Sequence, residues 1–212
     1  MPALPVFFRR QLLRSLSALA LAGTCLPAIS AAAPAAPVAP VAPAAPVATQ
    51  SVTMQTNMGD IVIELYHDKA PKTVDNFLAY VKSGFYNGLL MHRVAKGQLI
   101  QGGGFDQKLQ PRPTRPWLKN EANNGLSNTA MTIAMARGAN PDSATSQFFI
   151  NISDNTQLDY PSFDGAGYCV FGKVVSGTEA LARMQQVGVT QQPMFDALPT
   201  TPIVIVKAFI NK

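Results

Sequence analysis

The stretch Met91-His92-Arg93-Val94-Ala95-Lys96-Gly97-Gln98-Leu99-Ile100-Gln101-Gly102-Gly103-Gly104-Phe105 decides how the chain is read. Two short apolar runs meet at a Lys-Gly turn and close on three glycines, the pattern of two short strands. One cation, Arg93, sits inside the first run. A charge in an apolar strand needs a partner or a task. Here it reads as a task, with the rest of the chain as the scaffold that holds Arg93 beside an apolar pocket. Neighbours on an extended strand face opposite ways, so His92 and Arg93 point to different sides. His92 reads as structural: His67 is the only other histidine, and no acid, Cys or His cluster completes a metal site. The three glycines do not form a phosphate loop, because no helix signal and no Gly-Lys-Ser/Thr follows. They read as backbone freedom where another segment passes closely.

Upstream, Ser51 to Asn57 alternates and Ile61 to Tyr66 is rich in β-branched residues, with Met58-Gly59-Asp60 between them, which predicts a hairpin. Pro71 to Lys82 predicts a helix that starts on a proline and stops before Gly84. Val74, Phe77, Leu78 and Val81 give it one apolar face. Downstream, residues 106–130 carry prolines and Asn-Gly turns with little period, a long loop ordered by packing. Further strands are expected over Met131–Ala136, Gln147–Ile152, Val170–Val175 and Ile203–Ile210, and a second helix over Thr178–Gln186. Strands without alternating crossover helices argue for a mainly β fold: an eight-stranded antiparallel β-barrel capped by two α-helices.

The totals narrow the function. The chain has 17 Lys+Arg and 12 Asp+Glu. Arg9, Arg10 and Arg14 precede every acid, so the part from Gln50 onward is close to neutral, which gives no nucleic-acid footprint. Residues 1–31 combine those arginines with an apolar run too short for a comfortable membrane span and small residues suited to cleavage, which predicts an export signal. Arg9-Arg10-Gln11-Leu12-Leu13-Arg14 also resembles a twin-arginine motif, beside the general secretory reading. Residues 32–50 are almost wholly Ala, Pro and Val, with Pro34, Pro37, Pro40, Pro43 and Pro46 at every third position, a semi-rigid spacer. Residues 51–212 form the one domain. Cys25 falls in the leader, which leaves Cys169 alone in an apolar run as an inert buried thiol. No Gly-x-Ser-x-Gly elbow and no Ser/His/acid set is available for hydrolysis. What remains is Arg93, Gln101 and apolar side chains from separate strands, including Leu99, Met135, Phe148, Phe149, Leu158 and Tyr168. A held cation beside an apolar cleft fits recognition of an uncharged amide or carbonyl, while composition alone gives a binding cleft without naming its ligand.

Five spaced blocks carry a resemblance. They are His92-Arg93-Val94, Gln101-Gly102-Gly103-Gly104-Phe105, Ala134-Met135-Ala136-Arg137, Ser146-Gln147-Phe148-Phe149-Ile150 and Val170-Phe171-Gly172-Lys173-Val174. In this order, across about Val52 to Ile210, the chain resembles the cyclophilin family of peptidyl-prolyl cis-trans isomerases, and its leader and Tyr168 make it most like the bacterial periplasmic members. The resemblance implies a barrel of eight antiparallel strands with two helices and isomerisation of X-Pro bonds without a cofactor. It places Arg93 at the catalytic arginine and Gln101 beside it as its orienting glutamine. Phe149 and Leu158 match the proline pocket, with Leu99 where methionine is usual. Ala136 and Arg137 match the segment that pairs with the substrate backbone, and Tyr168 replaces a histidine that closes the pocket in many eukaryotic members. Gln98 stands where phenylalanine is usual and Lys96 where proline is usual, so the pocket is expected to be wetter. Gln157 stands where cyclosporin-sensitive members carry tryptophan, which implies weak inhibition by that drug.

The expected function is therefore isomerisation of X-Pro bonds in exported polypeptides folding in the periplasm. The expected partners are proline-containing unfolded or folding chains, with no nucleic acid, no stable membrane insertion after signal cleavage, and a monomeric enzyme. The alternative is a peptide-binding chaperone or scaffold with weak or no isomerase activity, for which Gln98 and Lys96 are the motive.

Overall fold

Alternation builds the first hairpin. In the computed structural model, which describes residues 50–212, β1 (Ser51–Thr56) and β2 (Gly59–Leu65) pair antiparallel from Ser51↔Glu64 to Thr56↔Gly59. Val52, Met54, Ile61, Ile63 and Leu65 face the core. The leader and the Ala/Pro/Val-rich spacer expected from the sequence lie outside the described residues.

Helix α1 (Pro71–Lys82) begins where a missing N–H costs nothing. The Glu121 carboxylate accepts from the Thr73 N–H at 2.8 Å and the Lys72 N–H at 3.3 Å, which places negative charge at the positive end of the helix. Its apolar face is buried as the spacing predicts. Phe77 packs at 5.2 Å from Phe171, 5.4 Å from Tyr86 and 5.9 Å from Phe148 between ring centroids, so the helix plugs the inner face of the sheet with interlocking aromatics.

The remaining elements are β3 (Arg93–Ala95), β4 (Leu99–Gly102), β5 (Thr132–Met135), β6 (Phe148–Asn151), β7 (Val170–Ser176), α2 (Thr178–Gln186), β8 (Val189–Gln192), β9 (Phe195–Pro199) and β10 (Ile205–Ile210). Eight strands form one antiparallel sheet in the order β10-β1-β2-β7-β5-β6-β4-β3. The mainly β, eight-stranded antiparallel fold with two helices agrees with the expectation from the sequence. No strand pairing joins β3 to β10, so the ladder itself is a half-barrel sheet. The cause is local. β3 is only three residues long, and the irregular chain before it makes the seam instead. There the Gly88 N–H donates to the Ile205 carbonyl at 2.8 Å, Ile205 N–H to Leu89 at 2.8 Å, and Met91 N–H to Ile203 at 2.9 Å.

Register sorts the strands into two faces. Val94, Ile100, Ile150 and Ile133 lie side by side across β3, β4, β6 and β5, all fully buried in the main core. The next row on the opposite face runs Arg93, Gln101, Phe149, Ala134 and Val170. The β8–β9 hairpin forms a separate two-stranded sheet beyond the strands expected from the sequence. β8 is exposed along its whole length, so it carries no alternation to read.

Candidate active site

The outer row sets the site. Strand alternation turns His92 and Val94 inward and Arg93 outward, and the pairing Arg93↔Gln101↔Phe149 then places a cation, a carboxamide and an aromatic ring on adjacent strands. They line a cleft of about 270 Å³. Nine of the residues expected at the site border it: Arg93, Gln98, Leu99, Gln101, Ala136, Arg137, Phe149, Leu158 and Tyr168. Met135 and Phe148, also expected in the cleft, instead lie buried in the main core, because Phe148 is one strand position out of phase with Phe149. Asn155 and Gln157 complete the wall.

Arg93 is held by a residue 103 positions away, on β9. Its Nε donates to both carboxylate oxygens of Asp196, at 2.8 and 3.0 Å, and its Nη2 donates to Oδ2 at 2.9 Å. These bonds hold the Asp196 carboxyl below the usual carboxylate range. Gln101 was expected to orient Arg93. It instead donates from Nε2 to Gln147 Oε1 at 3.0 Å. Nothing in the spacing of residues 93 and 196 signals this contact, since it depends on the unforeseen hairpin.

The floor is a small apolar cluster of Ala134, Phe149 and Val170, with Leu99, Leu126, Ala136, Leu158 and Tyr168 against it. Tyr168 meets Phe149 edge to face at 5.7 Å. Arg137 stacks 4.3 Å over the Tyr168 ring. Its guanidinium donates to the Gly167 carbonyl at 2.9 Å, the Gly138 carbonyl at 3.1 Å and Asp164 Oδ2 at 2.6 Å. The side chain is only 3% exposed, so its charge is spent on pinning the loop through Asp164 and Gly167. The Ser162 hydroxyl and the Arg137 guanidinium hold the Asp164 carboxyl well below the ordinary range.

Leu158 stands on a 3-10 turn, Thr156–Leu158, fixed from behind by a buried amide network. Asn155 Nδ2 donates to the Gln98 carbonyl at 3.0 Å and to Asn151 Oδ1 at 2.8 Å. Asn151 Nδ2 reaches Thr132 Oγ1 at 2.9 Å and Asn128 Oδ1 at 3.2 Å, and the Asp159 carboxylate accepts from the Asn128 N–H, the Asn128 amide and the Ser127 hydroxyl. Fully bonded buried networks fix geometry tightly. On the cleft side, the Gln157 amide donates to Asn155 Oδ1 at 3.3 Å, so Gln98, Asn155 and Gln157 make one wall of carboxamides.

Behind Arg93, His92 is buried edge-on to Phe105 at 4.8 Å and Phe195 at 5.9 Å. Burial, assisted by the adjacent Arg93 charge, pushes its pKa down to about 4, so the imidazole is neutral near neutral pH. Gly103 has φ +84, and a Cβ there would lie 2.9 Å from Tyr86 and 3.0 Å from Phe148. Here the glycine run serves close approach of the chain. Cys169 is buried against Thr73 of α1, and burial raises its thiol to about 11. The cleft thus offers one fixed cation, amide donors and acceptors, and an apolar floor. That set can hold and polarise an uncharged amide.

Comparison with known proteins agrees with this chemistry. The family described as "Cyclophilin type peptidyl-prolyl cis-trans isomerase/CLD" matches residues 51–209. A peptidyl-prolyl cis-trans isomerase of Acinetobacter baylyi is 48% identical over 164 residues, covering 77% of this chain and 87% of the relative. Peptidyl-prolyl cis-trans isomerase B of Escherichia coli is 46% identical over 163 residues, covering 76% of this chain and 99% of the relative. Among solved structures, a Cryptosporidium parvum cyclophilin-type isomerase, crystallised in the presence of the dipeptide Ala-Pro, is 28% identical with a TM-score of 0.64 and covers 77% of this chain and 99% of that one.

Proposed function

We propose, from the premise that this chain belongs to the cyclophilin-type peptidyl-prolyl cis-trans isomerases, that its cleft twists X-Pro bonds by fixing the proline ring on Phe149 and Leu158 and presenting Arg93 to the amide. The observation that carries the reading is the outer row Arg93–Gln101–Phe149, which sets a fixed cation beside an apolar floor.

The chemistry needs no acid, base or nucleophile. An X-Pro bond turns slowly because amide resonance must be broken, at a barrier of about 18–20 kcal/mol. Catalysis requires tighter binding of the twisted amide than of the planar one. On twisting, the prolyl nitrogen becomes pyramidal and gains a lone pair. The Arg93 guanidinium, charged at every relevant pH, donates to that nitrogen or steadies the neighbouring carbonyl. Phe149, Leu158 and Leu99 hold the ring while the preceding carbonyl rotates, and Tyr168 closes the floor. The edges of Gln101 and Ala136 hydrogen-bond the substrate backbone. Water excluded from the floor no longer stabilises the planar, dipolar amide. A related enzyme crystallised with Ala-Pro supports a small residue before proline as one accepted substrate.

The chain is exported and acts in the periplasm on proline-containing polypeptides as they fold, as a monomer. Arg9, Arg10 and Arg14 ahead of an apolar run support the export. A second reading, a peptide-binding scaffold with little catalysis, is favoured by the carboxamide wall of Gln98, Asn155 and Gln157. An isomer-specific protease assay on an Ala-Pro peptide separates the two. The proposal expects a rate that rises linearly with protein concentration, whereas bound peptide with an unchanged isomerisation rate would select the scaffold.

A further inference from the structure

Two adjacent side chains at the start of β3 meet two adjacent side chains of β9. His92 immediately precedes β3 and Arg93 opens it, while Phe195 and Asp196 open β9. Alternation splits each pair. Phe195 goes inward, 5.0 Å from Phe105 and 5.9 Å from His92 between ring centroids, and is 9% exposed. Arg93 and Asp196 go outward and meet in the fork-to-carboxylate contact described above. The buried aromatic therefore fixes β9 so that its next residue must face Arg93. The hairpin behind it is closed by Val189↔Pro199 and Thr190↔Leu198, and by the Thr200 N–H to the Gly188 carbonyl at 2.8 Å.

The bonds occupy one edge of the guanidinium. Nε and Nη2 are engaged, while Nη1 has no hydrogen bond to protein among the described residues. A planar fork held along one edge keeps few rotational options, so its remaining N–H groups have a defined direction. Asp196 is 59% exposed, and exposed ion pairs add little to stability. Orientation, not folding, is what this contact can supply. Gln101, the cross-strand neighbour of Arg93, is bonded to Gln147 and does not supply it.

We infer that Asp196 is a positioning residue for the isomerase reaction: its carboxylate, delivered by the Phe195-anchored hairpin, fixes the Arg93 guanidinium so that the free Nη1 edge meets the twisting amide. This rests on the reading of Arg93 as the group that acts on the amide. The carboxylate touches no substrate atom and acts through Arg93 alone.

Steady-state kinetics on the full chain test this with four variants: Asp196→Ala, Asp196→Asn, Arg93→Ala and the Arg93→Ala/Asp196→Ala double. Loss of orientation without loss of the cation lowers kcat about tenfold in Asp196→Ala and leaves KM within about twofold, because the interaction is realised in the twisted state. Asp196→Asn keeps one carbonyl acceptor and recovers part of that loss. The double variant is no slower than Arg93→Ala, the non-additivity required of a residue that works through another. An active-site-independent readout, the thermal midpoint, is unchanged in Asp196→Ala. If Arg93→Ala is inactive but Asp196→Ala retains full kcat, or if the two losses add, the positioning role is overturned while the reading of Arg93 stands. If Arg93→Ala is itself near normal, the reading beneath it fails and the inference falls with it.

Discussion

Truncation of Phe149 links the packing of the cleft to its chemistry. Phe149 is 3% exposed and sits at the centre of the smaller apolar cluster, between Ala134 on β5, Gln101 on β4 and the Tyr168 ring. Phe→Ala in a core costs about 3–5 kcal/mol. The void left here would open into the existing 270 Å³ cleft instead of forming an enclosed cavity, so water can enter and the cost falls at the lower end. Loss of the edge-to-face contact with Tyr168 adds about 0.5–1.5 kcal/mol within that figure. A net loss of about 3 kcal/mol lowers the thermal midpoint of a domain this size by about 6–12 °C. The same substitution removes the surface under the proline ring, which planar and twisted amides use alike. KM should therefore rise more than kcat falls. Differential scanning fluorimetry and peptide kinetics on one preparation measure both. An unshifted midpoint with unchanged KM would refute the claim that Phe149 is at once the floor of the cleft and the core of its cluster.

Two further outcomes follow from the same geometry. His92 has a folded-state pKa of about 4 against an ordinary 6.5, so the unfolded chain binds the proton more readily and stability falls as pH drops through that window. Urea midpoints at pH 7 and pH 5 should differ by about 2 kcal/mol of stability from this group, and His92→Phe should remove that component. Equal pH dependence in both proteins would contradict it. Gly103→Ala forces a side chain into positive φ and against Tyr86 and Phe148, which should cost about 3 kcal/mol in chemical denaturation. A neutral effect would mean that the glycine run is not there for close approach.

Much of this was legible in the sequence because it depends on local periodicity. The hairpin at residues 51–65, both helices and the inward and outward faces of β3 and β4 follow from spacings of two and three to four residues. Periodicity also separated His92 from Arg93. Register then brought residues from β3, β4 and β6 into one cleft, and here the residue blocks shared with a known family supplied what spacing could not. The misses have a common cause. The seam of Gly88–Met91 against β10 is irregular chain with no strand period, and the partner of Arg93 depends on a hairpin whose first strand buries nothing. Likewise the amide network of Asn128, Asn151 and Asn155 reads in sequence as loop polarity, yet those three side chains are buried and hold Leu158 in place. Long-range polar pairing leaves no periodic trace in a single chain.

The central claim is that one preorganised cation lowers the barrier to twisting the amide. Its most direct measurement is kcat/KM of Arg93→Ala on an X-Pro peptide, with circular dichroism on the same sample to establish the fold. Arg93 is partly exposed and its only ion pair among the described residues is with a surface carboxylate, so the variant should fold normally. Removal of one preorganised donor should lower kcat/KM on the order of 10²–10³-fold. A folded Arg93→Ala protein that isomerises the peptide at a near-normal rate would contradict the account.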